Sequence, residues 1–78
     1  MSHVPHELAE EFPNATDKIH ELKTTNAHAA KLFDTYHTVN RAIHRAETNV
    51  EPVDDFTMTG MRKERMALKD EIAAMLKA

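Results

Sequence analysis

Apolar residues recur in steps of three and four from Pro13 to about Thr48, which is the spacing of one face of an α-helix. In heptad notation, the d positions hold Leu22, Ala29, Tyr36, Ile43 and Val50, and the a positions hold Ile19, Asn26, Phe33, Asn40 and Glu47. No glycine or proline interrupts residues 14–48, so the pattern predicts one long helix over residues 13–48. Three of the five a residues are polar, which favours coiled-coil-like packing over a regular two-stranded coiled coil. We interpret the asparagines at a as local control of register.

A second helix is predicted over residues 55–77, after a loop over residues 49–54 that contains Pro52. Asp54 is its expected N-cap. Its apolar face holds Met58, Met61, Arg65, Leu68, Ile72 and Met75. Gly60 lies inside this helix at a cost of about 1 kcal/mol relative to alanine, so its first turns are expected to fray. Residues 1–12 form a separate N-terminal segment.

Two helices joined by a short loop predict an all-α fold, an antiparallel hairpin that forms a single domain over residues 1–78. The predicted seam consists of Phe33, Tyr36, Asn40, Ile43, Val50, Met61, Leu68, Ile72 and Met75. The same register places Ile43 opposite Arg65, one turn from Glu47. We therefore expect a structural ion pair between Glu47 and Arg65.

In this register, residues 14–29 extend beyond the end of the second helix by about 24 Å. We call residues 14–29 the overhang. An apolar stripe starts in the overhang and continues along the first helix, and its residues are the candidates for self-association: Ile19, Leu22, Ala29, Leu32 and Val39. Either a second copy of the chain covers the stripe, or residues 4–12 fold back and place Leu8 and Phe12 over it.

The composition excludes several classes of protein. The 78 residues include no cysteine and only one glycine, which removes disulfides, thiolate chemistry and the glycine-rich nucleotide-binding motifs. No apolar run approaches the roughly 18 residues of a membrane span, and no signal-peptide pattern is present, so we expect a cytoplasmic protein without a membrane partner. A two-helix hairpin offers no pocket of the usual size, so we expect no enzymatic activity, no cofactor and no small-molecule substrate.

The histidines are the only candidates for metal chemistry. His37 and His44 lie seven residues apart on one side of the first helix, with Arg41 between them. Helical metal sites prefer a spacing of three or four, and a guanidinium between the rings repels a cation. We therefore expect no metal site, and whether these rings face a partner or solvent stays open.

Several runs of sequence resemble the YdcH-like family of small bacterial proteins. They are HELAEEFP at residues 6–13, Ile19–Leu22–Lys23, NAHAAKLFDTYHTVNRAIHRAETNVEP at residues 26–52, and RKERMALKDEIAAML at residues 62–76. The family's recurrent residues fall here on Phe33, His37, Asn40, Ile43, His44, Glu47, Pro52, Arg65, Leu68, Lys69 and Asp70. The resemblance implies a helical hairpin of uncharacterised function. Its departure from the family at Met58-Thr59-Gly60 leaves the start of the second helix open.

Two classes of function remain. The first is a non-catalytic interaction module, which binds either a helical protein partner or a second copy of itself as a homo-oligomer. The alternative is a nucleic-acid-linked regulator that uses the basic residues Arg41, Arg45, Arg62, Lys63, Arg65 and Lys69. Acidic neighbours dilute this patch, the net charge is −3, and no aromatic residue is placed for base stacking, so nucleic acid is the less favoured partner.

Overall fold

The computed structural model of the chain describes residues 5–48 and 53–77. Within these ranges every regular element is helical. The elements are α1 (Leu8–Glu11), a 3-10 helix (Pro13–Ala15), α2 (Thr16–Thr25), α3 (Ala27–Glu47) and α4 (Asp55–Lys77). The predicted all-α fold, with a long helix packed against a second one, is confirmed.

The single helix predicted over residues 13–48 is wrong, because the chain breaks at Asn26. Asn26 has extended backbone angles, φ −135° and ψ 108°. Its amide still donates to the carbonyl of Leu22 at 2.9 Å, which closes α2. Its side-chain Oδ1 accepts a hydrogen bond from the amide of Ala29 at 3.1 Å, which caps α3. One residue therefore ends one helix and begins the next, and the asparagine acts as a cap rather than as a control of register.

Because of this break, α2 folds back onto α3 instead of continuing beyond the hairpin. Ile19 and Leu22 pack against a core that includes Ala29 and Leu32, and Val39 is half-buried. The overhang from which self-association was predicted is therefore absent. Four of its five candidate residues are used inside the chain's own core.

The fourth helix begins at Asp55 and ends at Lys77, the bounds expected from the sequence. Asp54 Oδ1 accepts a hydrogen bond from the amide of Thr57 at 2.6 Å, and this bond lowers the pKa of the Asp54 carboxyl. Gly60 lies within the helix and is exposed, with open space around the position that a Cβ would occupy.

The core lies between α3 and α4 and is extended by α1 and α2. Its buried members are Leu8, Ala29, Leu32, Phe33, Tyr36 and Ile72, and Phe12, Ile19, Leu22, Leu68, Met75 and Leu76 pack against them. Of the residues predicted for the seam, Phe33, Tyr36, Asn40, Ile43 and Ile72 are buried, and Met61, Leu68 and Met75 are half-buried. Val50 and residues 49–52 of the predicted loop lie outside the described residues.

Candidate functional site

Residues 5–12, here called the docked segment, lie against the polar residues of the α3 seam. The hydroxyl of Tyr36 donates to the backbone carbonyl of His6 at 2.6 Å. The amide nitrogen of Asn40 donates to the carbonyl of Pro5 at 2.9 Å. Leu8, one turn further along, is only 4% exposed and belongs to the core. The hairpin therefore binds this segment through two backbone carbonyls and one buried leucine.

The environment of Tyr36 keeps its phenol neutral. Burial, with the carboxylates of Glu11 and Glu7 adding to it, raises the pKa of Tyr36 to about 12, although the Arg65 guanidinium opposes the shift. A neutral phenol is the form that can donate its proton to the His6 carbonyl. The electrostatics of the site thus preserve the contact that holds the docked segment.

Asn40 links the docked segment to α4. Its Oδ1 accepts a hydrogen bond from Nη1 of Arg65 at 3.1 Å, and its amide nitrogen donates to the carbonyl of Pro5. Asn40 is only 1% exposed. Both halves of the buried amide are therefore satisfied, as buried polar groups require. The role of Asn40 is to join three segments of the chain.

The predicted pair between Glu47 and Arg65 is wrong, because each residue has a different partner. Glu47 Oε2 accepts from Nη2 of Arg62 at 3.0 Å. Arg62 is the more exposed of the two arginines and reaches the exposed carboxylate. Arg65 is half-buried and turns inward to the amide of Asn40.

The Glu11 carboxylate of the docked segment lies between a histidine of the same segment and a lysine of α4. Glu11 Oε1 is 2.9 Å from Nδ1 of His6 and 3.4 Å from Nζ of Lys69. The hydrogen bond from His6 lowers the pKa of Glu11, with a further contribution from Lys69, while partial burial opposes the shift. Glu11 therefore stays ionised and holds the segment against α4.

His37 takes part in a second contact with the docked segment. Its Nδ1 lies 2.9 Å from Glu7 Oε2, but the geometry is not that of a hydrogen bond, and this buried nitrogen has no hydrogen-bond partner. The contact is therefore a close approach of the two side chains rather than a directed bond. His44 is half-buried on the same helix.

An open groove of about 280 Å³, here called the Met66 groove, runs beside the contact between Glu11 and Lys69. It is lined by His6, Glu11, Arg62, Arg65, Met66 and Lys69. A neighbouring cleft of about 320 Å³ shares Arg62 and Met66 and is completed by Thr59 and Lys63. Met66 is 64% exposed between the two. This flank of α4 therefore combines cations with an apolar surface.

In residues 5–48 and 53–77 no group of three or more histidine, aspartate or glutamate side chains could hold a metal ion. No helix in the same ranges has the length and apolar character needed to cross a membrane. A third cleft, of about 200 Å³, lies between α1, α2 and α3 and has a mostly apolar lining that includes Leu8, Ile19 and Phe33. The described residues of this site carry cations, carboxylates and exposed apolar side chains.

The basic patch predicted for nucleic acid is largely engaged within the chain. Arg62 contacts Glu47, Arg65 contacts Asn40 and Lys69 contacts Glu11. Arg45 is also engaged, so at least four of the six cations already have partners.

The roles of Tyr36 and Asn40 were missed from the sequence. Both residues were placed correctly on the seam, where the predicted register sets Tyr36 opposite Ile72 and Asn40 opposite Leu68. A buried hydroxyl and a buried amide each need a hydrogen-bond partner, and these two apolar side chains supply none. That deficit was the available signal that another segment must reach the seam.

Comparison with known proteins gives one match. A family model described as "Protein of unknown function (DUF465)" matches residues 30–76, which cover nearly all of α3 and α4. No curated protein and no solved structure shows a significant match. The match covers the hairpin, whereas α1 and α2 precede it.

Proposed function

The chain belongs to the DUF465 family of proteins of unknown function, which includes the YdcH-like proteins, and on that premise we propose that it is a non-catalytic protein-interaction module that binds its partner through α4. The family resemblance predicted from the sequence is confirmed. Family membership itself implies no activity.

One observation carries the proposal. The exposed large apolar side chains of residues 5–48 and 53–77 are Val53 at 41%, Phe56 at 89% and Met66 at 64%. All three lie in α4 or just before it. Fully burying a side chain of this kind is worth roughly 1.5–3 kcal/mol, so leaving three of them near one helix favours an interaction surface.

Protein is favoured over nucleic acid as the partner because of how the cations are arranged. Arg65 and Lys69 are half-buried and, like Arg62, contact other parts of the chain. Binding to a nucleic acid depends on neutralising several phosphates at once, and Glu47 and Glu11 already offset two of these three cations. An exposed Phe56 and Met66 instead supply the apolar area that protein interfaces use.

Site-specific photocrosslinking in the native cell tests the proposal. A photoreactive phenylalanine analogue at position 56 should give discrete adducts with protein. The matched control carries the same analogue at Asp34, an exposed position on α3, and should give none. An adduct at twice the chain mass would identify the partner as a second copy.

Adducts that disappear on nuclease treatment, or equal labelling from both positions, would contradict the proposal. A salt series provides the independent check, because nucleic-acid binding weakens steeply between about 50 and 200 mM salt. Docking through Phe56 and Met66 should barely respond over that range.

A further inference from the structure

We infer that the Met66 groove binds an acidic, amphipathic segment of a partner protein, with partner carboxylates on Arg62 and Arg65 and a partner apolar side chain on Met66. This inference rests on the proposed function and names the site and the chemistry of the partner.

The groove already accepts a carboxylate of this chain. Glu11 enters it from the docked segment and contacts both His6 and Lys69. The lowered pKa of Glu11 shows that the surroundings favour a negative charge. A carboxylate from another chain would meet the guanidinium groups of Arg62 and Arg65 further along the groove.

The cations of the groove exceed its acids. Arg62, Arg65 and Lys69 oppose the carboxylate of Glu11 and that of Glu47, which pairs with Arg62, so the net charge is +1 with His6 neutral. The whole chain carries −3, so the groove is a local reversal of the overall charge. That contrast directs an acidic segment to this surface.

Both arginines retain donors for a partner. A guanidinium has five N–H groups, and the described contacts of Arg62 and Arg65 engage Nη2 and Nη1 respectively. The Arg62 side chain is 54% exposed and reaches solvent from the groove wall. Charge-assisted bonds from such a fork to a carboxylate are stronger and more directional than those between neutral groups.

The size and lining of the groove favour a peptide over a nucleic acid. Its volume is about 280 Å³, and Met66 lies between the arginines and Lys69 in the sequence of α4. A methionine thioether adapts to the shape of an apolar side chain. No phenylalanine, tyrosine or tryptophan lines the groove, so the His6 imidazole is the one ring of its lining on which a base could stack.

The test is fluorescence anisotropy on the full chain with a labelled, end-capped amphipathic peptide of Glu and Leu at helical spacing. The matched probe replaces every Glu with Gln. We expect the Glu peptide to bind at least about tenfold more tightly than the Gln peptide. Equal affinity for the two peptides would overturn the inference.

Three variants in the groove and one control variant outside it locate the binding. Arg62→Gln and Met66→Ser should each weaken the Glu peptide by about fivefold or more, and Arg62→Lys should recover part of the loss. Arg41→Gln makes the same charge change at an exposed position of α3 outside the groove and should leave the affinity unchanged. Affinity that is insensitive to Arg62→Gln, with thermal unfolding unchanged, would overturn the assignment.

A single-stranded oligonucleotide serves as the competing probe. Displacement of the Glu peptide by this probe, with the same dependence on Arg62, would replace the inference by a nucleic-acid site. If neither peptide binds while position 56 still crosslinks protein, the inference fails and the proposed function stands. If position 56 gives no protein adduct, the proposed function fails independently.

Discussion

The hydroxyl of Tyr36 donates to the backbone carbonyl of His6 at 2.6 Å and thereby connects the middle of the third helix to the start of the described chain. Tyr36 is completely buried, so the docked segment lies over part of the core. Together with the bond from Asn40 to Pro5, this contact makes the segment part of the folded unit. Loss of the docked segment would expose Leu8 and would leave the Tyr36 hydroxyl and the Asn40 amide nitrogen without these hydrogen-bond acceptors.

Replacing Tyr36 with Phe should change how stability depends on alkaline pH. Because burial raises the pKa of Tyr36 to about 12, the stability that its neutral form provides is complete below the ordinary pKa of about 10 and is lost as the pH rises to 12. A shift of this size corresponds to about 2–3 kcal/mol of unfolding free energy. Tyr36→Phe should cost about 1 kcal/mol at pH 8 through the lost hydrogen bond and should become the more stable protein near pH 12.

Chemical unfolding of both proteins from pH 8 to 12 measures this crossover, since lysine titration affects both alike. Tyr36 is also the chain's one tyrosine, so tyrosinate absorbance reports its ionisation directly. Titration of the native protein at the ordinary pKa would contradict the prediction.

Arg65 should be coupled to Asn40 and not to Glu47. Asn40 is 1% exposed and Arg65 is half-buried. A double-mutant cycle with Asn40→Ala and Arg65→Met should therefore give a coupling free energy of about 0.5–3 kcal/mol. The pair between Arg62 and Glu47 has side chains 54% and 35% exposed, so its cycle should give less than about 1 kcal/mol. A double-mutant cycle on Glu47 and Arg65 serves as the reference, and its coupling free energy should be near zero. A larger coupling there than in the Asn40 cycle would refute the described contacts.

Glu11 should stabilise the fold at neutral pH and lose this effect in acid. The hydrogen bond from His6, helped by Lys69, holds the pKa of Glu11 below its usual range. Its contribution is therefore complete above the ordinary glutamate pKa and disappears as the pH falls through the lower folded value. Glu11→Gln should destabilise the protein by up to about 1 kcal/mol at pH 7 and by less at pH 3.

Urea unfolding at the two pH values makes the comparison, with Glu21→Gln on the exposed side of α2 as the control. Glu21→Gln should change the free energy of unfolding only slightly at both pH values. A Glu11→Gln penalty that stays constant into acid would argue against the carboxylate's role.

The hairpin was predictable because both of its helices have long apolar stripes with steps of three and four. Pro52 and Asp54 placed the second helix, and the seam pattern identified Phe33 and Ile72 as core residues. The break at Asn26 was not predictable from that pattern. An asparagine at an a position is compatible with a continuous helix, and the choice depends on whether the following turn accepts its side chain as a cap.

The polar contacts were harder to predict than the helices. Arg62 and Arg65 lie one turn apart on α4, and a small rotation of that helix decides which of them reaches Glu47. The positions of backbone carbonyls in the docked segment carry no sequence signal at all. The partners of Tyr36 and Asn40 therefore became visible only with the tertiary structure.

Removing the cap at Asn26 should restore the continuous helix that the apolar pattern favours. Asn26→Ala deletes the bond to the amide of Ala29, at a cost of about 1 kcal/mol to the start of α3, and also raises the helix propensity of the junction. Both effects favour joining α2 to α3. Ile19 and Leu22 would then leave the core and form the exposed stripe that a second copy could cover.

Sedimentation equilibrium over about a hundredfold range of concentration measures the outcome, because self-association depends on concentration. Asn26→Ala should approach twice the chain mass of 8.9 kDa at high concentration. Asn26→Ser keeps a capping oxygen, and Thr24→Ala raises helix propensity without touching the cap, so neither should associate through this stripe. If Asn26→Ala remains folded at 8.9 kDa throughout, the break does not control whether the stripe is available, and the fold-back of α2 is held by its packing on α3 alone.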